Sequence, residues 1–260
     1  MKENAIKKAV LAGEPVAGAM VFEFFAPGMS SILANAGCRF VLYDMEHTGL
    51  GFETLKWLFA GCRGLPIEPM VRVPRGEYTW LARSLDLGAR GVMIPMVESE
   101  AQARSIVESC RYPPAGRRGA AFGFAQCDYL GGNVGDKIRA YHERTLVIAQ
   151  IETERGLENV EAIAATPGID GLYIGPSDLR LAVGGATSTD SAVDDVFEAA
   201  VERILKAAQD AGIAAGFHTP SGEVAAKRLG QGFTVATVSS DLIHLEQAAT
   251  AHLKAARGES

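Results

Sequence analysis

Leu146-Val147-Ile148-Ala149-Gln150-Ile151-Glu152-Thr153 and Gly171-Leu172-Tyr173-Ile174-Gly175-Pro176-Ser177-Asp178 decide how this chain is read. Each opens on an unbroken apolar run of the kind that forms a buried parallel strand, and each carries an acidic residue a few positions past that run. Glu152 and Asp178 stand 26 residues apart. A carboxylate just past a buried strand is costly to leave unpaired. It also lies where open α/β sheets and closed barrels keep their chemistry. Two hard oxygen ligands, with positions left for water and substrate, suit Mg²⁺ or Mn²⁺ better than zinc.

Outward from this pair the same alternation fills the chain. Further strand-length runs cover Ala17 to Phe22, Phe40 to Tyr43, Ile67 to Val71, Gly91 to Ile94, Ile213 to Gly216 and Phe233 to Val238. Helix-length segments separate them. One is Val193 to Ala208, whose Val196, Phe197, Ala200, Val201, Ile204 and Leu205 keep one apolar face. Eight strands alternating with helices in 260 residues predict a single (β/α)₈ TIM barrel domain over residues 1–260, since that fold typically takes about 250 residues. A doubly wound open sheet would more naturally carry a glycine-rich dinucleotide loop after its first strand. Phe22-Glu23-Phe24-Phe25-Ala26-Pro27-Gly28 is not one.

Composition narrows the function classes. A hydrophobic content of 48% with 22% charged residues fits a soluble globular enzyme. The net charge of −6 argues against nucleic acid or an anionic membrane as partner. No run approaches the roughly 18 to 20 apolar residues of a membrane span. The start, Met1 to Leu11, reads as a short amphipathic helix lying on the domain rather than a signal peptide. A cytoplasmic location is expected. Cys38, Cys62, Cys110 and Cys127 show no metal-binding spacing and read as reduced thiols. The stretch from Pro113 to Arg144 is too long for an ordinary βα loop, and its Phe122, Phe124 and Tyr129 favour a lid or a subunit contact.

On a barrel, the polar residues at strand ends fall on one rim: Asp44, Glu46 and His47, then Arg72, then Gln150 and Glu152, then Ser177 and Asp178. Each keeps a second reading. Asp178 can N-cap the following helix, as can Ser177. Glu152 or Glu154 can lie in a first helical turn, where the dipole favours an acid. Arg72 can pair with Asp44 for structure alone, and a lone histidine such as His47 can be structural. Of the other histidines only His218, just after the seventh strand, is placed to face the site.

Taken together, Tyr43-Asp44-Met45-Glu46-His47, Val71-Arg72-Val73-Pro74, Gly88-Ala89-Arg90-Gly91-Val92-Met93-Ile94-Pro95, Gln150-Ile151-Glu152-Thr153 and Ile174-Gly175-Pro176-Ser177-Asp178-Leu179 resemble the HpcH/HpaI family of class II pyruvate aldolases, over about Gly18 to Leu245. The resemblance implies a divalent metal cofactor (Mg, Mn or Co) held by Glu152 and Asp178. It implies that Arg72 contacts the pyruvyl group and the enolate charge, and that His47 is an acid/base paired with Asp86. Gln150 would help hold substrate, and the backbone N–H groups of Ser177 and Asp178 would receive the pyruvate carboxylate, as a helix N-terminus can. The implied reaction cleaves or forms 4-hydroxy-2-oxo acids to give pyruvate and an aldehyde. The implied assembly is a homo-oligomer, a hexamer or trimer of dimers, with the C-terminal helix exchanged between subunits. Asp241 to Ala256, with Leu242, Leu245, Ala249 and Leu253 on one face, fits that helix.

The chain departs from the family pattern in two places. Gln126 stands near where relatives carry an arginine, which would remove a partner for an anionic aldehyde. Thr48-Gly49-Leu50 replaces a small residue followed by proline. The other readings are a decarboxylase or C–C bond-forming synthase on the same enolate, and a non-catalytic ligand-binding barrel.

Overall fold

The computed structural model describes residues 1–185 and 191–259. Eight parallel strands close into a barrel in chain order: β1 (Val16–Val21), β2 (Phe40–Asp44), β3 (Glu68–Arg72), β4 (Gly91–Ile94), β5 (Leu146–Ile151), β6 (Gly171–Ile174), β7 (Ala214–Thr219) and β8 (Val235–Ser240). β8 returns to pair with β1. The expected (β/α)₈ barrel is the observed one. β4 and β6 have the expected bounds, while β5 and β7 run further, which brings Gln150 and His218 inside strands. Among the described residues no helix is long and apolar enough to cross a membrane.

The period of two along each strand sorts side chains between two cores. Phe40, Leu42, Met70, Met93, Leu146, Ile148, Tyr173, Ala214 and Val235 fill the barrel interior. Val41, Tyr43, Val71, Val92, Val147, Ala149, Leu172 and Phe217 face outward beneath the helices. Continuing the inward parity to the strand ends brings Asp44, Arg72, Gln150, Glu152 and His218 to one mouth. The same alternation that packs the core therefore aims the polar residues. A glycine makes room in that core: a Cβ on Gly216 would lie 2.3 Å from the Tyr173 ring.

The N-terminal helix α1 (Ala5–Leu11) does more than lie on the domain. Ile6, Ala9 and Val10 join the barrel-interior cluster, so the helix closes the end opposite the polar mouth. Asn4 caps it, accepting from the N–H groups of Ile6 and Lys7, while its amide donates to the carbonyls of Arg90 and Arg144.

The long connection after α5 (Glu100–Cys110) is not one loop. It holds a 3₁₀ turn at Ala125–Cys127 and a helix, α6 (Val134–Arg144), capped by Asn133. Its buried face rests on Tyr141, which packs against Tyr112 and under the Arg118 guanidinium 4.3 Å from the ring. A face built from an aromatic and a stacked cation leaves no aliphatic stripe for periodicity to reveal. The cysteines are all free thiols; Cys62, Cys110 and Cys127 are buried and Cys38 is partly so.

The last helix, α12 (Asp241–Ala256), has the expected bounds. Asp241 is fixed by three backbone N–H groups, those of Phe22, Glu23 and Phe24, at 2.8–3.0 Å. Every described residue after it is exposed, Leu245 and Leu253 by more than half. An apolar groove beside it is lined by Ile32, Leu33, Cys38, Val238, Leu245 and Ala248.

Candidate active site

A cleft of about 230 Å³ opens at the strand C-termini, lined by Met20, Phe22, His47, Arg72, Gln150, Tyr173, Ser177, Asp178 and His218 among others. Its fixed positive charge is Arg72. The residue is 7% exposed, and its guanidinium donates from Nε to Asp44 at 2.5 Å, with Glu46 Oε2 at 3.2 Å. Burial opposes its charge. The bond to Asp44 and the negative charges of Asp44, Glu46 and Glu152 outweigh burial and raise its pKa. Asp44 in turn accepts from the backbone N–H groups of Glu46 and His47. The pairing of Arg72 with Asp44 and its place in the cleft are both real. The carboxylate locks the guanidinium in position, and its remaining N–H groups are left for the cleft.

Glu152 is 3% exposed. One carboxylate oxygen accepts the amide of Gln150 and the other accepts the Met96 N–H at 2.9 Å. Met96 takes a left-handed φ of 55° to present that N–H, a conformation unfavourable for its side chain. Burial above all raises the Glu152 carboxyl, and the charge of Asp178 adds to it. Glu46 is raised too, first by burial and then by Glu152 and Asp44. Close packing holds the group together: a Cβ on Gly175 would fall 2.2 Å from Glu152 Oε2.

Asp178 does not cap its helix. In α9 (Pro176–Gly184) the N-cap is Gly175 and proline stands in the first turn, so Ser177 and Asp178 follow within that turn. Their N–H groups precede the first intrahelical bonds and point toward the cleft end of the helix. Of Glu152 and Glu154 it is Glu154 that starts the next helix after β5, with Thr153 as its cap.

This arrangement fits a divalent cation. Asp44, Glu46 and Glu152 surround the charge of Arg72, with Asp178 acting on Glu152, and the Glu46 and Glu152 carboxyls are raised first by burial and then by neighbouring carboxylates. Gln150 Oε1 is buried without a hydrogen-bond partner, and Glu46 Oε2 is buried with ion-pair contacts to Arg72 and His47 but no hydrogen bond. Among the described residues no three His, Cys, Asp or Glu side chains converge as ligands. A cation there would draw its protein ligands from these carboxylates and leave positions for water and substrate.

The structure does not bring Asp86 to His47. Asp86 ends α4 (Tyr78–Asp86), just before β4 begins, and so lies toward the opposite end of the barrel. Its carboxylate bonds to Arg118 instead. His47 is mostly exposed, with Nε2 3.6 Å from Glu46 Oε2. Gln126 also lies away from the mouth, fully buried with its amide on the Ala121 carbonyl.

His218 does face the cleft. Its Nδ1 lies 2.7 Å from Thr237 Oγ1. Burial, then the charge of Arg72, pushes its pKa down to about 4. Between that value and the ordinary 6.5 the unfolded chain takes up a proton that the native imidazole refuses. Stability therefore falls as pH drops through this window, by on the order of 3 kcal/mol from this group. A His218→Gln variant should lose less melting temperature between pH 7 and 5 than the parent. Equal losses in calorimetry would contradict the burial of this imidazole.

The sequence profile of the HpcH/HpaI aldolase/citrate lyase family matches residues 20–248. The chain belongs to this family. It is 35% identical over 250 residues to a hydroxypyruvate/pyruvate aldolase of Delftia acidovorans, covering 96% of this chain and 91% of that one. A 4-hydroxy-2-oxovalerate aldolase of Novosphingobium aromaticivorans is 39% identical over 216 residues, with 81% and 79% coverage. The crystal structure of an HpcH/HpaI aldolase from Desulfitobacterium hafniense superposes with a TM-score of 0.90 at 26% identity, covering 98% of this chain and 97% of that one. The protein is thus an aldolase-type carbon–carbon lyase on a TIM barrel.

Proposed function

We propose that this family member is a divalent-metal-dependent pyruvate aldolase that cleaves or forms 4-hydroxy-2-oxo acids, working in the cytoplasm. The observation that carries the reading is the buried Glu152, with the unpartnered amide oxygen of Gln150 next to it, beside an Arg72 fixed by Asp44. Glu152 and Asp178 are the residues that would hold the cation. When bound, the cation supplies Lewis-acid stabilisation of charge on the substrate's keto and carboxylate oxygens, an effect worth several kcal/mol.

The chain's own groups do the rest. The N–H groups of Ser177 and Asp178 hold the substrate carboxylate at the positive end of α9. Arg72 sets a fixed, permanently charged donor beside the C2 oxygen, where enolate charge collects as the C3–C4 bond breaks. Gln150 orients substrate with its free amide oxygen. His47 takes the proton of the C4 hydroxyl as the aldehyde carbonyl forms, a role that typically contributes about 10²–10⁴-fold. Asp86 takes no part within one chain.

His47→Ala should damage aldol cleavage far more than decarboxylation of oxaloacetate, which has no C4 hydroxyl proton to lose before bond scission. Parallel kinetics on the two substrates check this. An equal loss in both would move His47 to binding or to reprotonation of the enolate. The reading as a whole is tested by pyruvate release from oxaloacetate and from 4-hydroxy-2-oxo acids, with metal and with chelator. Full activity after chelation would favour a metal-independent synthase.

We also infer a homo-oligomer, a hexamer or trimer of dimers, in which α12 crosses to a second copy. Its exposed Leu245 and Leu253 and the apolar groove along α2 (Met29–Asn35) support this. Leu245→Asp should shift the mass measured by light scattering toward the monomer. An unchanged mass would remove α12 from the interface.

A further inference from the structure

Three side chains in the barrel interior form a hydrogen-bonded line that ends in the cleft. Tyr173 is 1% exposed, and its hydroxyl lies 2.5 Å from Thr237 Oγ1. Thr237 Oγ1 lies 2.7 Å from His218 Nδ1. The absence of a side chain at Gly216 is what lets the tyrosine ring stand there.

The direction of the line follows from counting protons. The Tyr173 O–H is buried and its side-chain partner is Thr237 Oγ1, so it donates to that oxygen. The Thr237 hydroxyl proton then goes to the acceptor on its other side, His218 Nδ1. If Nδ1 carried the proton instead, either the tyrosine or the threonine hydroxyl would be left without an acceptor in a buried place. Such an orphan costs about 1–3 kcal/mol. Nδ1 is therefore the acceptor and Nε2 carries the hydrogen. No described residue bonds Nε2, and the imidazole lines the cleft. The depressed pKa agrees with a neutral ring.

The order of strands says what the N–H meets, and this step rests on the aldolase reading. From C2 of a bound 2-oxo acid, the carboxylate points to α9 after β6. The keto oxygen points to Arg72 at the end of β3 and to Glu152 just past β5. The third substituent, C3, is left facing the arc of β7, β8 and β1, where His218 is the polar member beside Met20 and Phe22. Pyruvate places a methyl group there, with nothing to accept a hydrogen bond.

We infer that His218 donates its Nε2–H to a hydroxyl on C3, so that the site selects a 3-hydroxylated 2-oxo acid, such as hydroxypyruvate, over pyruvate as nucleophile. A site built to bond a hydroxyl discriminates against the analogue that lacks it, because its donor would be left unpaired.

Two measurements test this. In the first, aldol addition to one aldehyde is followed with hydroxypyruvate and with pyruvate. His218→Phe should lower the ratio of kcat/KM for hydroxypyruvate to that for pyruvate roughly tenfold or more. An unchanged ratio, with both rates falling together, would overturn the inference. His218→Gln, which keeps a donor, should retain part of the preference. The second uses ¹⁵N-histidine NMR of the wild-type protein and needs no turnover. The expected result is a neutral Nε2–H tautomer whose Nε2 signal moves on adding hydroxypyruvate with Mg²⁺ and not on adding pyruvate. Thr237→Val should weaken the tautomer bias. An Nδ1–H tautomer in the wild type, or identical shifts with both acids, would refute the donor role. Loss of turnover with every metal and both nucleophiles would instead count against the aldolase reading, since the NMR result is read independently.

Discussion

Glu152→Ala and Asp178→Ala should each reduce turnover to background in the presence of Mg²⁺ or Mn²⁺ while leaving a folded barrel. Each removes one of two carboxylates that would hold the ion, and the remaining water ligands cannot retain it against dilution. Glu152 gives the sharper case. Burial raises its carboxyl, so its charge is unfavourable in the metal-free protein. Removing it should cost little stability without metal, since relief of the buried charge offsets the loss of its bonds to Met96 and Gln150. Added Mn²⁺ should then raise the melting point of the wild type, by binding to the native state, and leave that of the variant unmoved. Calorimetric titration with Mn²⁺ decides the matter. Wild-type affinity kept in both variants would take these residues out of the metal site.

Arg72→Lys should lower kcat and kcat/KM together, by roughly the 10²–10³-fold seen when one preorganised donor is lost. The charge survives this change, but the geometry does not. Nε is held on Asp44 at 2.5 Å, so the guanidinium is anchored at one edge and presents the other. An ammonium can satisfy Asp44 or the enolate oxygen, but it cannot span both with fixed bonds. Steady-state kinetics beside a thermal melt separate the roles. A lowered melting temperature with unchanged kcat would make the Arg72–Asp44 pair purely structural.

Much of this site was legible because barrel geometry turns chain order into position. Once Leu146 to Ala149 and Gly171 to Ile174 are strands, Glu152 and Asp178 must share a rim. Inward parity from Phe40, Met70 and Leu146 does the same for Asp44, Arg72 and Gln150. His218 was placed correctly for that reason, though the Tyr173–Thr237 line behind it was not visible. Those residues come from different strands, and nothing local marks them as partners. Met96 was missed because a left-handed turn after a strand leaves no signal in a methionine. The pairing of His47 with Asp86 came from resemblance, and within one chain the direction of α4 carries Asp86 away from the mouth. Helix α6 escaped notice because Arg118 and Tyr141 supply its packing in place of an aliphatic stripe.

The central claim is that this mouth stabilises a pyruvate enolate with the help of a divalent cation. Exchange of the pyruvate C3 protons in D₂O, followed by ¹H NMR, reads that enolate without knowledge of the aldehyde. The account predicts exchange with Mg²⁺ or Mn²⁺ that stops on chelation and is lost in Glu152→Ala. No exchange with any divalent metal, or exchange that persists undiminished after chelation, would contradict it.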